Sequence, residues 1–273
     1  MTHGVQTADP PFVDLALAKR LEFTEGNGNA AFVDARVRHD PAGGAVRITV
    51  GGTLAMFDGA GSPMTQTFGL GIAEPATPAG LDELEQFFKS RGSDVFHEVS
   101  PLAGVELLAT LATRGYRPIE LSSVLYQPIG GRPAREANPA IRVRAVNEGE
   151  AGLYARLAAQ GWSESPEVQP FIEGFARISV ECATGFVAEI DGTPIAAGAV
   201  FLHHGVALLA GASTVREGRR QGAQLALLDT RLQFAASKGC DLAMMCAAPG
   251  SASQRNAERN GFRIAYTRTK WQL

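Results

Sequence analysis

Three observations predict a mixed α/β chain built from two similar halves. Helical and strand patterns alternate along the 273 residues. Two helix-to-strand joints recur about 146 residues apart. A loop rich in arginine and glycine stands directly before an apolar helix in the second half only, and marks that half as the one equipped for chemistry.

The elements of the second half follow from spacing and turn residues. Ile141-Arg142-Val143 can supply an opening strand, and Val146 to Gln160 has helical spacing in Leu153, Leu157 and Ala158. A loop, Gly161 to Pro166, leads to a second helix over Glu167 to Val180, with Phe171, Phe175 and Ile178 on one side. Strands are expected over Phe186–Ile190, Ile195–Leu202 and Val206–Ser213, turning at Asp191-Gly192 and at His203-His204-Gly205. Leu225, Leu228, Leu232 and Ala235 give the next helix one apolar face, and Lys238-Gly239 stops it. Asp241–Cys246 reads as a short strand. A helix from Ser251 to Asn260-Gly261 and a final strand over Phe262–Trp271 complete the order.

The first half repeats the joints. Leu111-Ala-Thr-Arg-Gly115-Tyr116 matches Ala257-Glu-Arg-Asn-Gly261-Phe262, and Ser90-Arg-Gly-Ser-Asp94 matches Ser237-Lys-Gly-Cys-Asp241. Strands over Ala45–Val50, Thr53–Phe57 and Met64–Ile72 fit the same plan. Pro128 to Ala140, dense in Pro, Gly and Ala, reads as a linker, giving halves 1–130 and 140–273. Phe87, Phe88, Leu107 and Leu108 are expected to pack the first half against the second.

Composition narrows the function classes. A hydrophobic content of 45% supports packed cores, and a net charge of −3 offers no footprint for nucleic acid. Cys182, Cys240 and Cys246 have no metal-ligand spacing, and an odd, sparse set fits a reducing compartment. The polar start, Met1 to Pro11, lacks the apolar core of a signal peptide, and no apolar run approaches the roughly 20 residues of a membrane helix. The expectation is a cytoplasmic protein, monomeric or homodimeric, without nucleic-acid, membrane or metal partners.

The loop before the apolar helix carries the functional argument. Arg216, Arg219, Arg220, Gly218 and Gly222 precede the helix, whose start already presents unpaired N–H groups and partial positive charge. Glycine lets an anion approach the backbone, so the segment suits a pyrophosphate. It resembles the pyrophosphate loop of the GCN5-related N-acetyltransferases, the GNAT family, whose pattern is Arg/Gln-x-x-Gly-x-Gly/Ala. Arg219, Gly222 and Gln224 stand at its patterned positions, with Gln224 departing from the usual Gly or Ala.

The resemblance implies two mixed-sheet domains of the acyl-CoA N-acyltransferase fold, an α/β (α+β) class, with acetyl-CoA as co-substrate and an amine as acceptor. It implies that Arg219, Arg220, Gln221, Gly222, Ala223 and Gln224 hold the pyrophosphate. Ala212, Ser213, Thr214 and Val215 would pair with the pantetheine arm, and Ser251, Ser253 and Asn256 would face the cofactor from the next helix. The first half's counterpart loop carries Asp82, Glu83 and Glu85 and no basic residue, which implies a degenerate domain without cofactor.

The implied chemistry is attack of a neutral amine on a thioester. Many family members place a tyrosine four residues before the Gly-Phe pair as general acid, and here that position is Ala257. Tyr266 or Tyr154 would have to substitute, or each is a packing residue. Glu164, beside Trp162 in the acceptor loop, and Glu189, on a central strand, are the candidate bases. A non-catalytic acyl-CoA-binding or regulatory module is the rival reading, and a longer acyl-CoA donor a further one.

Overall fold

The computed structural model describes residues 9–130 and 138–273. Residues 1–8 of the polar start and 131–137 of the Pro128–Ala140 stretch lie outside the described residues. In chain order the first elements are α1 (Leu15–His39), β1 (Val46–Val50), β2 (Thr53–Phe57), β3 (Gln66–Phe68), α2 (Pro78–Lys89), β4 (Phe96–Val99), α3 (Val105–Thr113) and β5 (Arg117–Pro128). Then follow β6 (Ile141–Ala145), α4 (Ala151–Gln160), α5 (Gln169–Cys182), β7 (Thr184–Ile190), β8 (Thr193–His203) and β9 (Val206–Thr214). The last are α6 (Ala223–Ser237), β10 (Leu242–Ala247), α7 (Ala252–Arg259) and β11 (Arg263–Gln272).

Two compact units result: Pro128–Ala243, and Pro10–Gln127 together with Met244–Leu273. They do not coincide with the contiguous halves that the sequence suggests. The reason is the destination of β11, which pairs antiparallel with β4 on one side and β5 on the other. Residues 244–273 therefore complete the unit begun by the first half.

In that discontinuous unit the strand order is β1-β2-β3-β4-β11-β5. β3 and β4 run parallel and are matched at a single pair, Thr67 with His97. Phe87, Phe88 and Leu107 gather Trp271 and Leu273, from the end of the second half, onto their cluster. With Leu81, Leu84 and Leu111 the three form the unit's own core, and Leu108 packs on it partly buried. The predicted Met64–Ile72 strand shrinks to Gln66–Phe68, because Gly69 and Gly71 adopt φ of 80° and 72° and end the extended run.

Helix α1 runs through Gly26-Asn27-Gly28-Asn29, four residues of low helix propensity. Two local facts keep it helical. Asn27 and Asn29 donate back to the carbonyls of Phe23 and Glu25, at 2.7 and 2.8 Å, instead of competing for turn geometry. Gly26 lies so close to the sheet that a Cβ would stand 2.9 Å from Leu54 and from Phe68. Close packing thus offsets the roughly 1 kcal/mol propensity loss of glycine.

The repeated joints are the same structure. Gly92 and Gly239 both take positive φ, 69° and 83°. Ser93 N–H donates to Phe88 at 3.2 Å, and Cys240 N–H donates to Ala235 at 3.0 Å. At the second pair Gly115 and Gly261 take φ of 93° and 95°, while Tyr116 and Phe262 donate to Leu111 and Ala257 at 3.0 and 3.1 Å. All four are left-handed glycine helix stops of one kind.

An ion cluster pins β11. Buried Arg268 donates to Glu98 at 2.8 Å and to Glu25 at 2.9 Å, and lies 3.3 Å from Glu22. Its guanidinium also sits 5.0 Å over the Phe68 ring. The Tyr266 hydroxyl donates to Glu22 at 2.8 Å, and the Cys246 thiol to Glu25 at 3.1 Å. Burial pushes Glu22 up to about 7, with Arg268 pulling the other way. Burial also acts upward on Glu25, but the charge and hydrogen bond of Arg268 outweigh it and hold Glu25 below its ordinary range.

The Glu22 shift sets a pH dependence. A carboxyl whose folded pKa lies above its unfolded value binds more protons when folded, so its stabilising effect is full below about 4.5 and lost as pH rises through about 7. Glu22→Gln keeps a neutral group there. Denaturant titrations between pH 4.5 and 7.5 should show a smaller loss of stability with rising pH in Glu22→Gln than in wild type. An equal slope in both proteins removes Glu22 as the titrating group. Independently, Gly26→Val should destabilise by about 1–3 kcal/mol through overpacking, read as a lower Tm.

The continuous unit, Pro128–Ala243, holds β9-β8-β7-β6 in antiparallel order. The expected turns appear at Asp191-Gly192 and His204-Gly205, all four residues with positive φ as two-residue hairpins require. Ala197 and Ala199 of β8 pack with Tyr154, Leu157 and Ala158 of α4, whereas intervening Gly198 faces Arg231 of α6. Side chains alternate along a strand, so α4 and α6 cover opposite faces.

Candidate functional site

The site is built where β9 runs into α6. β8 and β9 pair regularly until Ala199↔Ala210, then resume at Ala197↔Ser213, so β9 carries a bulge. Gly211, at φ 61°, makes the bulge possible. Ala210, Gly211 and Ala212 are exposed although they lie within a strand. At the other end of β9 the N–H groups of Asp241 and Leu242 donate to Gly205 at 2.9 and 3.3 Å, so β10 enters beside the hairpin rather than beside the bulge.

Beyond β9 a short turn, Arg216–Gly218, precedes the helix. Gly218 is buried there because a Cβ would meet Ile195 at 2.6 Å. Arg220 takes φ 63° and Gly222 φ 93°, a left-handed pair of turns that reverses the chain before Ala223. Gly222 is the N-cap of α6, and no side chain caps the helix. The nearest atoms to a Cβ on Gly222 are Asn138 and Ile141, at 3.7 and 3.8 Å. Asn138 donates to the Gln221 carbonyl at 3.0 Å and holds the loop from the side of β6. Arg216, Arg220, Gln221 and Gln224 are exposed around this helix start.

Not every predicted cradle residue points at the helix start. Arg219 donates to the Gly161 carbonyl at 3.1 Å and pairs with Glu164, so it ties the α4–α5 loop to the cradle. Gln224 donates to the Thr214 hydroxyl at 2.7 Å. Gln221 donates to the Glu217 carbonyl at 2.8 Å. Ser213 donates to the Ala158 carbonyl at 3.0 Å, joining β9 to α4.

The candidate catalytic residues are dispersed. Glu164 sits beside the cradle, but Arg219 holds its carboxylate below the ordinary range through a hydrogen bond and charge, which weakens it as a base. Glu189 accepts from Arg144 at 2.9 Å, and Arg144 also clamps Glu150, so that carboxylate belongs to an ion network on β6 and β7. Tyr266 belongs to the discontinuous unit, where its hydroxyl is committed to Glu22. Ser251, Ser253 and Asn256 lie in that unit also; Ser251 is the N-cap of α7, accepting from Gln254 at 3.2 Å. Among the described residues no cluster suits a metal.

Two residues of the site escaped the sequence argument in the role they take. Tyr154 lies beneath the bulge, its hydroxyl 3.4 Å from where a Cβ on Gly211 would stand. Arg231 reaches the same bulge from α6, donating to the carbonyls of Ala199 and Ala210 at 3.1 and 3.4 Å. The readable signal for Arg231 was its place between Leu228 and Leu232 on the apolar side of a helix.

No protein-family model and no curated protein matches this sequence. Solved structures do. A GCN5-related N-acetyltransferase from Kribbella flavida aligns over 90% of this chain and 94% of its own, with TM-score 0.61 and 19% identity. The chain has the fold of the GCN5-related N-acetyltransferases. An acetyltransferase of that kind from Novosphingobium aromaticivorans aligns over 83% of this chain and 89% of its own, at TM-score 0.53 and 19% identity. A tandem GNAT protein from the clavulanic acid biosynthesis pathway aligns over 74% and 70%, at TM-score 0.54 and 15% identity.

In this acetyltransferase fold the α4–α5 loop rests on β9 through Gly161, where a Cβ would stand 2.4 Å from Ser213. Gly161→Ala should therefore push the loop from β9 and lower Tm, by about 1–3 kcal/mol of stability. Thermal melts of the two proteins check this, and an unchanged Tm would mean that the loop moves aside freely.

Proposed function

We propose that the chain is an acyl-CoA-dependent N-acyltransferase, with acetyl-CoA as donor and an amine as acceptor. The observation that carries this reading is the pairing of an uncapped, glycine-opened start of α6 with an exposed, bulged β9 immediately before it. The helix start offers N–H groups and partial positive charge to a pyrophosphate, and Arg216 and Arg220 add fixed charge. The exposed backbone of Ala210 to Ala212 offers strand-like hydrogen bonds to the amide-bearing pantetheine arm.

Catalysis then rests on holding amine and thioester together, which can supply about 7–11 kcal/mol. In this reading a backbone N–H of the bulge would donate to the oxyanion of the tetrahedral intermediate. Glu164 and Glu189 are both engaged by arginine, so deprotonation of the amine runs through water rather than through either carboxylate. The residue at the family's usual acid position, Ala257, is buried and carries no proton to donate. That feature favours the second reading, an acyl-CoA-binding module without turnover. An acetyl-CoA turnover assay against amines, amino acids and aminoglycosides separates the two.

Cofactor binding is tested by calorimetry with acetyl-CoA. Wild type should bind, and its Tm should rise with ligand by mass action. Arg220→Glu and Gly222→Val should each weaken binding at least about tenfold, the first by charge and the second by blocking the backbone. Glu164→Gln should strengthen it about two- to fivefold, because Arg219 is released to face the phosphates. No binding by wild type, or equal affinity in all four proteins, would sink this reading.

A further inference from the structure

Three glycines on adjacent strands make room for two large polar side chains. A Cβ on Gly185 of β7 would stand 3.2 Å from the Tyr154 ring, and one on Gly211 of β9 would stand 3.4 Å from its hydroxyl. A Cβ on Gly198 of β8 would stand 3.0 Å from Nη1 of Arg231. Tyr154 comes from the α4 face and Arg231 from the α6 face, and they converge where the bulge interrupts the β8–β9 ladder.

Both groups are under-used by the protein itself. Arg231 is 2% exposed, and its bonds go to the carbonyls of Leu227, Ala199 and Ala210. No carboxylate pairs with it among the described residues; nearby Asp229 is engaged by Gln233. A buried cation without an anion is costly, and burial lowers Arg231 to about 10, with Tyr154 the one group acting the other way. The Tyr154 ring is buried in the α4 core, yet its hydroxyl has no hydrogen-bond partner among the described residues. It lies under the exposed backbone of Ala210, Gly211 and Ala212. A buried positive charge and a free hydroxyl donor beneath an exposed strand form a receptor for negative charge.

We propose that Tyr154, with the charge of Arg231 behind it, is a catalytic residue that stabilises the departing CoA thiolate by a hydrogen bond. This rests on the acyl-CoA reading above. In the step concerned the amine nitrogen bonds to the thioester carbonyl carbon, the C–S bond breaks, and sulfur keeps the electron pair. The surplus proton on nitrogen passes to solvent, and sulfur regains a proton from solvent on release. Tyr154 keeps its own proton throughout, since burial pushes its pKa up to about 12, far above a thiol near roughly 8.5. It therefore differs from a general acid, which would lose its proton to sulfur.

The test uses the full chain and CoA itself, and no acceptor need be known. Calorimetry first measures CoA binding by wild type, Tyr154→Phe and Arg231→Met. The ultraviolet absorbance of the thiolate then titrates the bound thiol. In wild type the bound thiol should ionise at least about one pH unit below free CoA, a tenfold gain in thiolate. Tyr154→Phe should retain CoA affinity within about threefold and return most of that gain, and Arg231→Met should do likewise. Tyr154→Phe conserves shape, so it decides the matter should Arg231→Met fail to fold. A wild-type thiol that titrates like free CoA, or an unchanged titration in Tyr154→Phe, overturns the proposal while leaving cofactor binding intact. Absence of CoA binding by wild type removes the acyl-CoA reading itself, and this inference with it.

Discussion

Arg268 is the residue on which the discontinuous unit depends. Its guanidinium is buried and meets carboxylates from α1 and from β4 at once. None of these charges could remain buried alone, because losing one partner of a buried pair leaves an uncompensated ion that costs about 3–5 kcal/mol. The cluster therefore fixes three elements relative to one another: α1 through Glu22 and Glu25, β4 through Glu98, and β11 through Arg268 and Tyr266. Lys270, 3.3 Å from Glu98, adds a second cation to the excess of carboxylates. A purely apolar filling would have tolerated slippage of β11 between its neighbours. The ion cluster tolerates one register.

The two halves of the sequence show how one plan diverges. Their helix stops agree down to the donor and acceptor positions at Gly92 and Gly239, and at Gly115 and Gly261. Their helix starts do not agree. Helix α2 is closed by the Thr77 side chain, which accepts from Gly80, and has Pro78 in its first turn. Asp82 and Glu85 then pair with Arg114, so that end is internally satisfied. Helix α6 begins at a left-handed glycine with no side-chain cap. Stops of this type set where a strand follows a helix, and the packing of the layers requires them. Starts face outward, and sequence there is free to serve a ligand or to abandon one.

Local chemistry was legible in the sequence, and long-range placement was not. The hairpins at Asp191-Gly192 and His204-Gly205, the joints, and the glycine-opened start of α6 all depend on residues a few positions apart. Helix α1 was not read from the sequence, because its glycines and asparagines are weak helix formers and the reason for Gly26, its close approach to Leu54 and Phe68, lies far along the chain. The strand character of Arg263–Gln272 was plain, but nothing in its pattern says that it lies between β4 and β5. Tyr154 and Arg231 stand 77 residues apart, and only the fold shows that both reach one bulge. Glu164 lies in the loop between α4 and α5, and its engagement by Arg219 depends on how that loop folds back.

The position of β11 also has a meaning for the birth of the chain. Residues 96–99 and 117–128 emerge early and form strands that face each other across a missing neighbour. That neighbour is encoded at 263–272, beyond the whole continuous unit. At about 5–20 residues per second, translation leaves the two edges unpaired for on the order of ten seconds. Exposed edges of this kind recruit other strands, so the interval is one in which a nascent chain is vulnerable to its neighbours on the same message. The later unit can meanwhile fold on its own connectivity, and the earlier one waits open for its closing strand.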